Sequence, residues 1–155
     1  MHKRSARFSS QAVEAECAIE QLRSQFGLAL VKSEEDEWGL TLLYRNSTTG
    51  LQLEYSPAEQ KGWRAVIGRL VAGSFPKHPI YITQDTDLQR FDLRDLAAER
   101  AQNPPEIQAK VLSGAPLTVT ELSEITSRSA TDVLLGDFSV FPALRLRVLA
   151  RVSAN

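Results

Sequence analysis

The stretch Trp38–Tyr55, WGLTLLYRNSTTGLQLEY, decides the fold. Trp38, Leu40, Leu42 and Tyr44 alternate with Gly39, Thr41, Leu43 and Arg45. In a strand, successive side chains point to opposite faces, so the first set defines an apolar face. Asn46 to Gly50, NSTTG, is rich in turn formers. Beyond it Leu51, Leu53 and Tyr55 alternate with Gln52 and Glu54. The reading is a β-hairpin, apolar on one side and more polar on the other.

The neighbours extend it. Leu28 to Lys32 is a short β-prone run, and Ser33 to Glu37, SEEDE, is a charged turn leading into Trp38. Ser56 to Gly62 is a polar connection containing Pro57. Trp63 to Val71 is a fourth strand, with Trp63, Ala65, Ile67 and Val71 on one face. A helix competes here, because Val66, Ile67, Leu70 and Val71 fit a period of 3.6. Gly62 and Gly68 disfavour it, and sequential strands tend to pair with their neighbours.

Helices flank this meander. Ser10 can cap a first helix whose Ala12, Ala15, Ile19, Leu22 and Phe26 share one face, with Gly27 in the left-handed position after it. Cys17 lies beside that stripe as a small, partly buried residue. After the loop Gly73–Pro79 and a brief extended piece, Ile80–Ile82, Asp92 is expected to cap Leu93–Arg100. Asn103-Pro-Pro-Glu106 is a second start signal, closed by Gly114. Thr118 and Glu121 form a capping box. It opens a longer helix striped by Leu122, Ile125, Ala130, Val133 and Leu134.

In Leu134–Leu144, LLGDFSVFPAL, a carboxylate sits in an apolar run. Gly136 ends one helix, Asp137 or Ser139 caps the next, and Pro142 falls in the first turn, where its missing N–H is harmless. Phe141, Leu144, Val148 and Val152 form the buried face of that last helix. The fold class is therefore α+β: an N-terminal helix, a four-stranded antiparallel β-meander, then three or four C-terminal helices. Residues 1–9 read as a flexible basic tail carrying Lys3, Arg4 and Arg7, and 10–153 as one globular domain.

Composition narrows function by exclusion. The chain has 155 residues, 43% hydrophobic and 24% charged, with a formal charge of −1. Such a chain buries a core of its own, and no bulk field recruits nucleic acid or an anionic membrane. One cysteine excludes an intrachain disulfide. MHKRSARFSS has no apolar segment after its basic residues, unlike a secretory signal. No apolar run approaches the ~20 residues of a membrane-spanning helix. The expected location is cytoplasmic.

Chemistry is thinly signalled. The two histidines, His2 and His78, are far apart in sequence, and with a single cysteine there is no thiolate cluster, so no metal or organic cofactor is expected. Asp85 and Asp87 can face the same way but lack the glycine and distal glutamate of a calcium loop. Ser74 lies near His78 without a nucleophile elbow around it. The exception is Glu34, Glu35, Asp36 and Glu37 followed by Trp38. It reads as a solvated turn or as an acidic lip with an aromatic anchor. Such a lip, with Asp85 and Asp87 as a second acidic loop, would complement a basic protein.

Four phrases carry a resemblance: Leu51–Tyr55 (LQLEY), Ile67–Leu70 (IGRL), Phe91–Leu96 (FDLRDL) and Leu135–Phe141 (LGDFSVF). With the order of elements, they resemble the immunity proteins of contact-dependent growth inhibition and related bacterial toxin systems. The resemblance implies a cytoplasmic inhibitor that binds one cognate toxin domain and turns nothing over. It implies no binding residue, because these families diverge at the toxin-facing surface, and it leaves oligomeric state open. Two other classes stand beside it: a small enzyme with a carboxylate-based or His78-based site, and a structural or adaptor subunit. A deep pocket lined by convergent acids or His78 would favour the enzyme, and a large exposed apolar patch the adaptor.

Overall fold

The computed structural model describes residues 7–58 and 62–154. The basic tail up to Ala6 and part of the connection around Pro57 lie outside the described residues. Helix α1 (Ser9–Phe26) precedes strands β1 (Ala29–Glu35), β2 (Leu40–Arg45), β3 (Thr49–Ser56), β4 (Gly62–Arg69) and β5 (Arg90–Asp92). Helices α2 (Leu93–Arg100), α3 (Pro105–Ser113), α4 (Val119–Ser129), α5 (Thr131–Leu134) and α6 (Phe141–Ser153) follow. The sheet is antiparallel throughout and its spatial order is the chain order.

The α+β class stands, but the sheet has five strands rather than four. Strand β5 pairs Arg90, Phe91 and Asp92 with Gly68, Ile67 and Val66 of β4 across the long loop 70–89. A three-residue strand with one apolar side chain is too short to show a period of two. Trp63–Val71 is a strand as expected, but it stops at Arg69, and Val71 is exposed. Ala72 and Gly73 turn the chain there with positive φ.

The core lies between one sheet face and the helices. Leu42, Tyr44, Leu51, Leu53, Ala65, Ile67 and Phe91 meet Ile19, Leu22, Leu96, Ile125, Leu134 and Leu144 there. Strand β1 is a sheet edge, and none of its residues is buried. Lys32, Glu34 and Glu35, with a register shift between Leu30 and Lys32, discourage edge-to-edge pairing. On the outer face the long loop lies across β3 and β4. Gly50 and Gly68 are directly opposed there, and any Cβ at Gly50 would collide with the Phe75 ring. Two bare backbone positions thus form a seat for Phe75, over which Arg90 stacks at 5.1 Å.

Several sequence expectations need local correction. Phe8, placed in the tail, is buried and meets Tyr55 edge-on, so the packed domain begins before Ser10. Helix α1 starts at Ser9 without a side-chain cap, and Cys17 is exposed. Asn103 is not the cap of α3, which starts after Pro104, because its amide bonds Gln108 instead. Asp92 and Thr118 do cap α2 and α4, the latter with Glu121 in a full capping box. The long fourth helix is broken at Ala130 into α4 and α5. The Ser129 carbonyl, which Val133 N–H would bond in an unbroken helix, accepts from Arg100 Nη1 at 2.7 Å. Val152 is 41% exposed at the end of α6 rather than buried. Asp137 is exposed and accepts from the Ser139 N–H at 3.0 Å, in the turn that leads into α6. The Ser139 hydroxyl and N–H hold its carboxyl below the ordinary range. It is a joint residue.

A bidentate ion pair ties α2 to α5. Arg100 grips both carboxylate oxygens of Asp132, at 2.5 and 2.7 Å. That hydrogen bonding holds the Asp132 carboxyl below its usual range despite partial burial. The link is therefore fully present above the unfolded carboxylate value of ~3.9, and is lost as pH falls through the folded one. Asp132→Asn is expected to lower stability at neutral pH and to flatten the acid limb of a urea-midpoint profile. An unchanged limb would show that Asp132 contributes nothing to acid sensitivity.

Candidate partner-binding cleft

The acidic run is built by a turn that Asp36 organises. Its carboxylate Oδ1 accepts from the Trp38 N–H at 2.7 Å and the Gly39 N–H at 3.0 Å, while its own N–H donates to the Gly39 carbonyl at 3.0 Å. Local side-chain acceptors of this kind compete with the strand ladder. Ser33, Glu34 and Glu35 therefore belong to β1 and not to the turn, and β2 starts only at Leu40. Trp38 falls outside the alternation that the sequence suggested and projects into solvent, 70% exposed.

Behind this turn the end of the β1–β2–β3 sheet is hollowed into a cleft of about 550 Å³. Its walls include Glu34, Glu35, Asp36, Trp38, Glu54 and Tyr55. Register explains the grouping. Thr41 pairs with Glu34 on one side and Glu54 on the other, and Arg64 lies beyond Glu54, making one cross-strand row. Leu40 pairs with Glu35 and Tyr55 in the adjacent row. Glu35 Oε1 and Glu54 Oε2 are buried without a hydrogen-bond donor among the described residues. Arg64 Nη1 approaches Glu54 Oε2 only to 3.8 Å, because its Nε is committed to Asp92 at 2.8 Å. Burial works against the Arg64 charge, but Asp92 and Glu54 outweigh it and raise its pKa. Glu34 pairs with exposed Lys32 at 3.3 Å, a contact worth little to stability.

The structure thus brings together Glu34, Glu35, Asp36 and Trp38, with Glu37 exposed in the same turn but outside the cleft wall. It does not bring Asp85 and Asp87 to them. Asp87 accepts from Gln89, whose carbonyl bonds the N–H of Arg69, at the far end of β4 from Trp63. Trp63 to Arg69 spans roughly 20 Å of strand, so the two acidic loops sit at opposite ends of the sheet. Asp85 is exposed in a segment that Arg145 holds by bonds to the Gln84 and Thr86 carbonyls. Glu54 and Tyr55 are cleft residues the sequence reading missed. The observed register pairs Arg45 with Gly50, inside the NSTTG run, and it is this that sets Glu54 opposite Thr41 and Tyr55 opposite Leu40.

His78 is exposed, and its Nδ1 lies 2.8 Å from the Pro79 carbonyl. Among the described residues it makes no bond to Ser74 or to a carboxylate. No group of three or more His, Cys, Asp or Glu among them is placed to hold a metal ion. No helix among them is long and apolar enough to cross a membrane. No family model, curated protein or solved structure matches the chain.

Proposed function

We propose that this domain is a binding protein of the toxin-immunity kind, which neutralises a cognate toxin domain in the cytoplasm by receiving its basic surface in the cleft. The observation that carries the reading is the cleft itself. Its walls gather Glu34, Glu35, Asp36 and Glu54, and an exposed tryptophan stands at its lip. A toxin that acts on nucleic acid is basic where it meets phosphates. Its lysines and arginines would meet the acidic side chains of the cleft, and charge-assisted bonds of that kind are among the strongest available. Trp38 is the residue type most often found as a binding hot spot. A stable complex needs roughly 800 Å² from each partner, so the interface would spread from the cleft over β1 and the Asp36 turn.

The test is the double reversal Glu34→Lys with Glu35→Lys, leaving Asp36 intact because it builds the turn. Association with the toxin domain encoded beside this chain's gene is expected to slow by about tenfold or more at low salt. The gap should narrow as salt rises, and the thermal midpoint should stay close to that of the parent. Unchanged association at low salt would remove the cleft from the interface. A parent protein that neither binds nor protects against that toxin would remove the immunity reading as a whole.

A further inference from the structure

We propose a second, separate site: a pocket for a small tetrahedral oxyanion between the outer face of β4–β5 and α6, assembled by Arg64, Arg90, Arg151 and His78. These residues line one small cavity of about 90 Å³, together with Asp92 and Asp95. Its size limits the ligand. The cavity is far below the ~300 Å³ of a drug-sized site, so it admits only a small ion or a few waters.

Unpartnered donors select the sign. Both carboxylates are already committed. Asp92 accepts from Arg64 Nε at 2.8 Å and also caps α2 through Arg94 N–H at 2.9 Å. Asp95, nearly fully buried, holds Arg151 by both oxygens at 2.7 and 3.1 Å. Arg90 is the remaining cation. It donates through Nη1 to the Pro76 carbonyl at 3.1 Å and stacks on Phe75, but makes no ion pair with a carboxylate among the described residues. Three guanidinium groups and two carboxylates line the cavity, and Glu54, outside the lining, lies 3.8 Å from Arg64. Burial pushes the Arg90 pKa down, Glu54 partly offsets this, and Arg64 adds a smaller like-charge repulsion. Arg90 Nε and Nη2, and the His78 Nε2, carry no hydrogen bond among the described residues. Guanidinium donors in a fixed fork suit the oxygens of a phosphate group.

The same facts admit a plainer role, in which Arg90 only staples the long loop to the sheet. Inorganic phosphate separates the two. Titrated into the ¹⁵N-labelled wild-type protein at constant ionic strength, it is expected to give saturable amide shifts at Val66, His78, Phe91 and Asp92. Arg90→Met should weaken binding by about tenfold or more, whereas Arg147→Met, which removes a surface pair with Glu99 on α2, should leave it unchanged. Acetate should bind more weakly than phosphate. Shifts that fail to saturate at tens of millimolar, or that spread over basic residues elsewhere, would overturn the site in the wild-type protein, whatever Arg90→Met does to folding. Acetate binding as tightly as phosphate would overturn the tetrahedral assignment.

Discussion

Asn46→Ala is expected to lower the unfolding free energy by roughly 3 kcal/mol. Asn46 closes the β2–β3 turn and reaches into two helices at once. Its Nδ2 donates to the Phe26 carbonyl at the end of α1, at 3.0 Å, and to the Leu134 carbonyl at the end of α5, at 2.8 Å. Its Oδ1 accepts from the N–H groups of Thr48 and Thr49, at 3.0 and 2.9 Å. Each such bond contributes ~1 kcal/mol net, and removing one side leaves half-buried partners without donors or acceptors. Asn46→Asp keeps the acceptor half but sets a negative charge beside two carbonyl oxygens, so it should rescue little. Urea denaturation of both variants measures this. A loss below about 1 kcal/mol for the alanine would mean that the turn and helix ends are held by other contacts.

Gly39→Ala is expected to damage both the fold and the cleft. A Cβ built on Gly39 falls well inside van der Waals contact of the Tyr55 carbonyl oxygen, a backbone atom that cannot swing aside. Overpacking of this kind typically costs ~1–3 kcal/mol. The strand end must shift, carrying Tyr55 and the Asp36 turn, so the effect on the proposed toxin contact should exceed that of the stability loss alone. The checks are a denaturation curve together with association kinetics at a temperature where the variant is fully folded. Parent-like association by a destabilised Gly39→Ala protein would show that the cleft's shape does not govern binding.

The hairpin was legible because a period of two is a simple pattern and NSTTG is a strong break in it. Leu40, Leu42, Tyr44, Leu51 and Leu53 all lie where that pattern placed them. Trp38 broke the pattern because a carboxylate two residues earlier captured its N–H, a competition that alternation does not register. Phe8 was misplaced for another reason. A single aromatic ahead of a helix has no periodic partners, and only the tertiary contact with Tyr55 reveals its place. Strand β5 and the position of Asp85 and Asp87 depend on the path of loop 70–89. That path is set by two glycines meeting a phenylalanine across the sheet, a long-range fit with no local signature. The cleft was half visible: its acidic lip lies in one contiguous run, whereas Glu54 and Tyr55 join it only once strand register is fixed.

Among the described strands, β1 alone buries none of its residues. Its edge carries the lip of the cleft, yet the residues that stabilise the domain sit on the other strands and the helices. Substitutions at Leu30, Val31, Lys32 and Glu34 should therefore be nearly neutral for folding, while under the proposed function they would alter the toxin-facing surface. Under the proposed binding function, a lineage carrying such a domain would change partners by single steps, without passing through unfolded intermediates. Divergence between relatives should accumulate fastest along this edge and slowest at Asn46, Gly50 and Gly68.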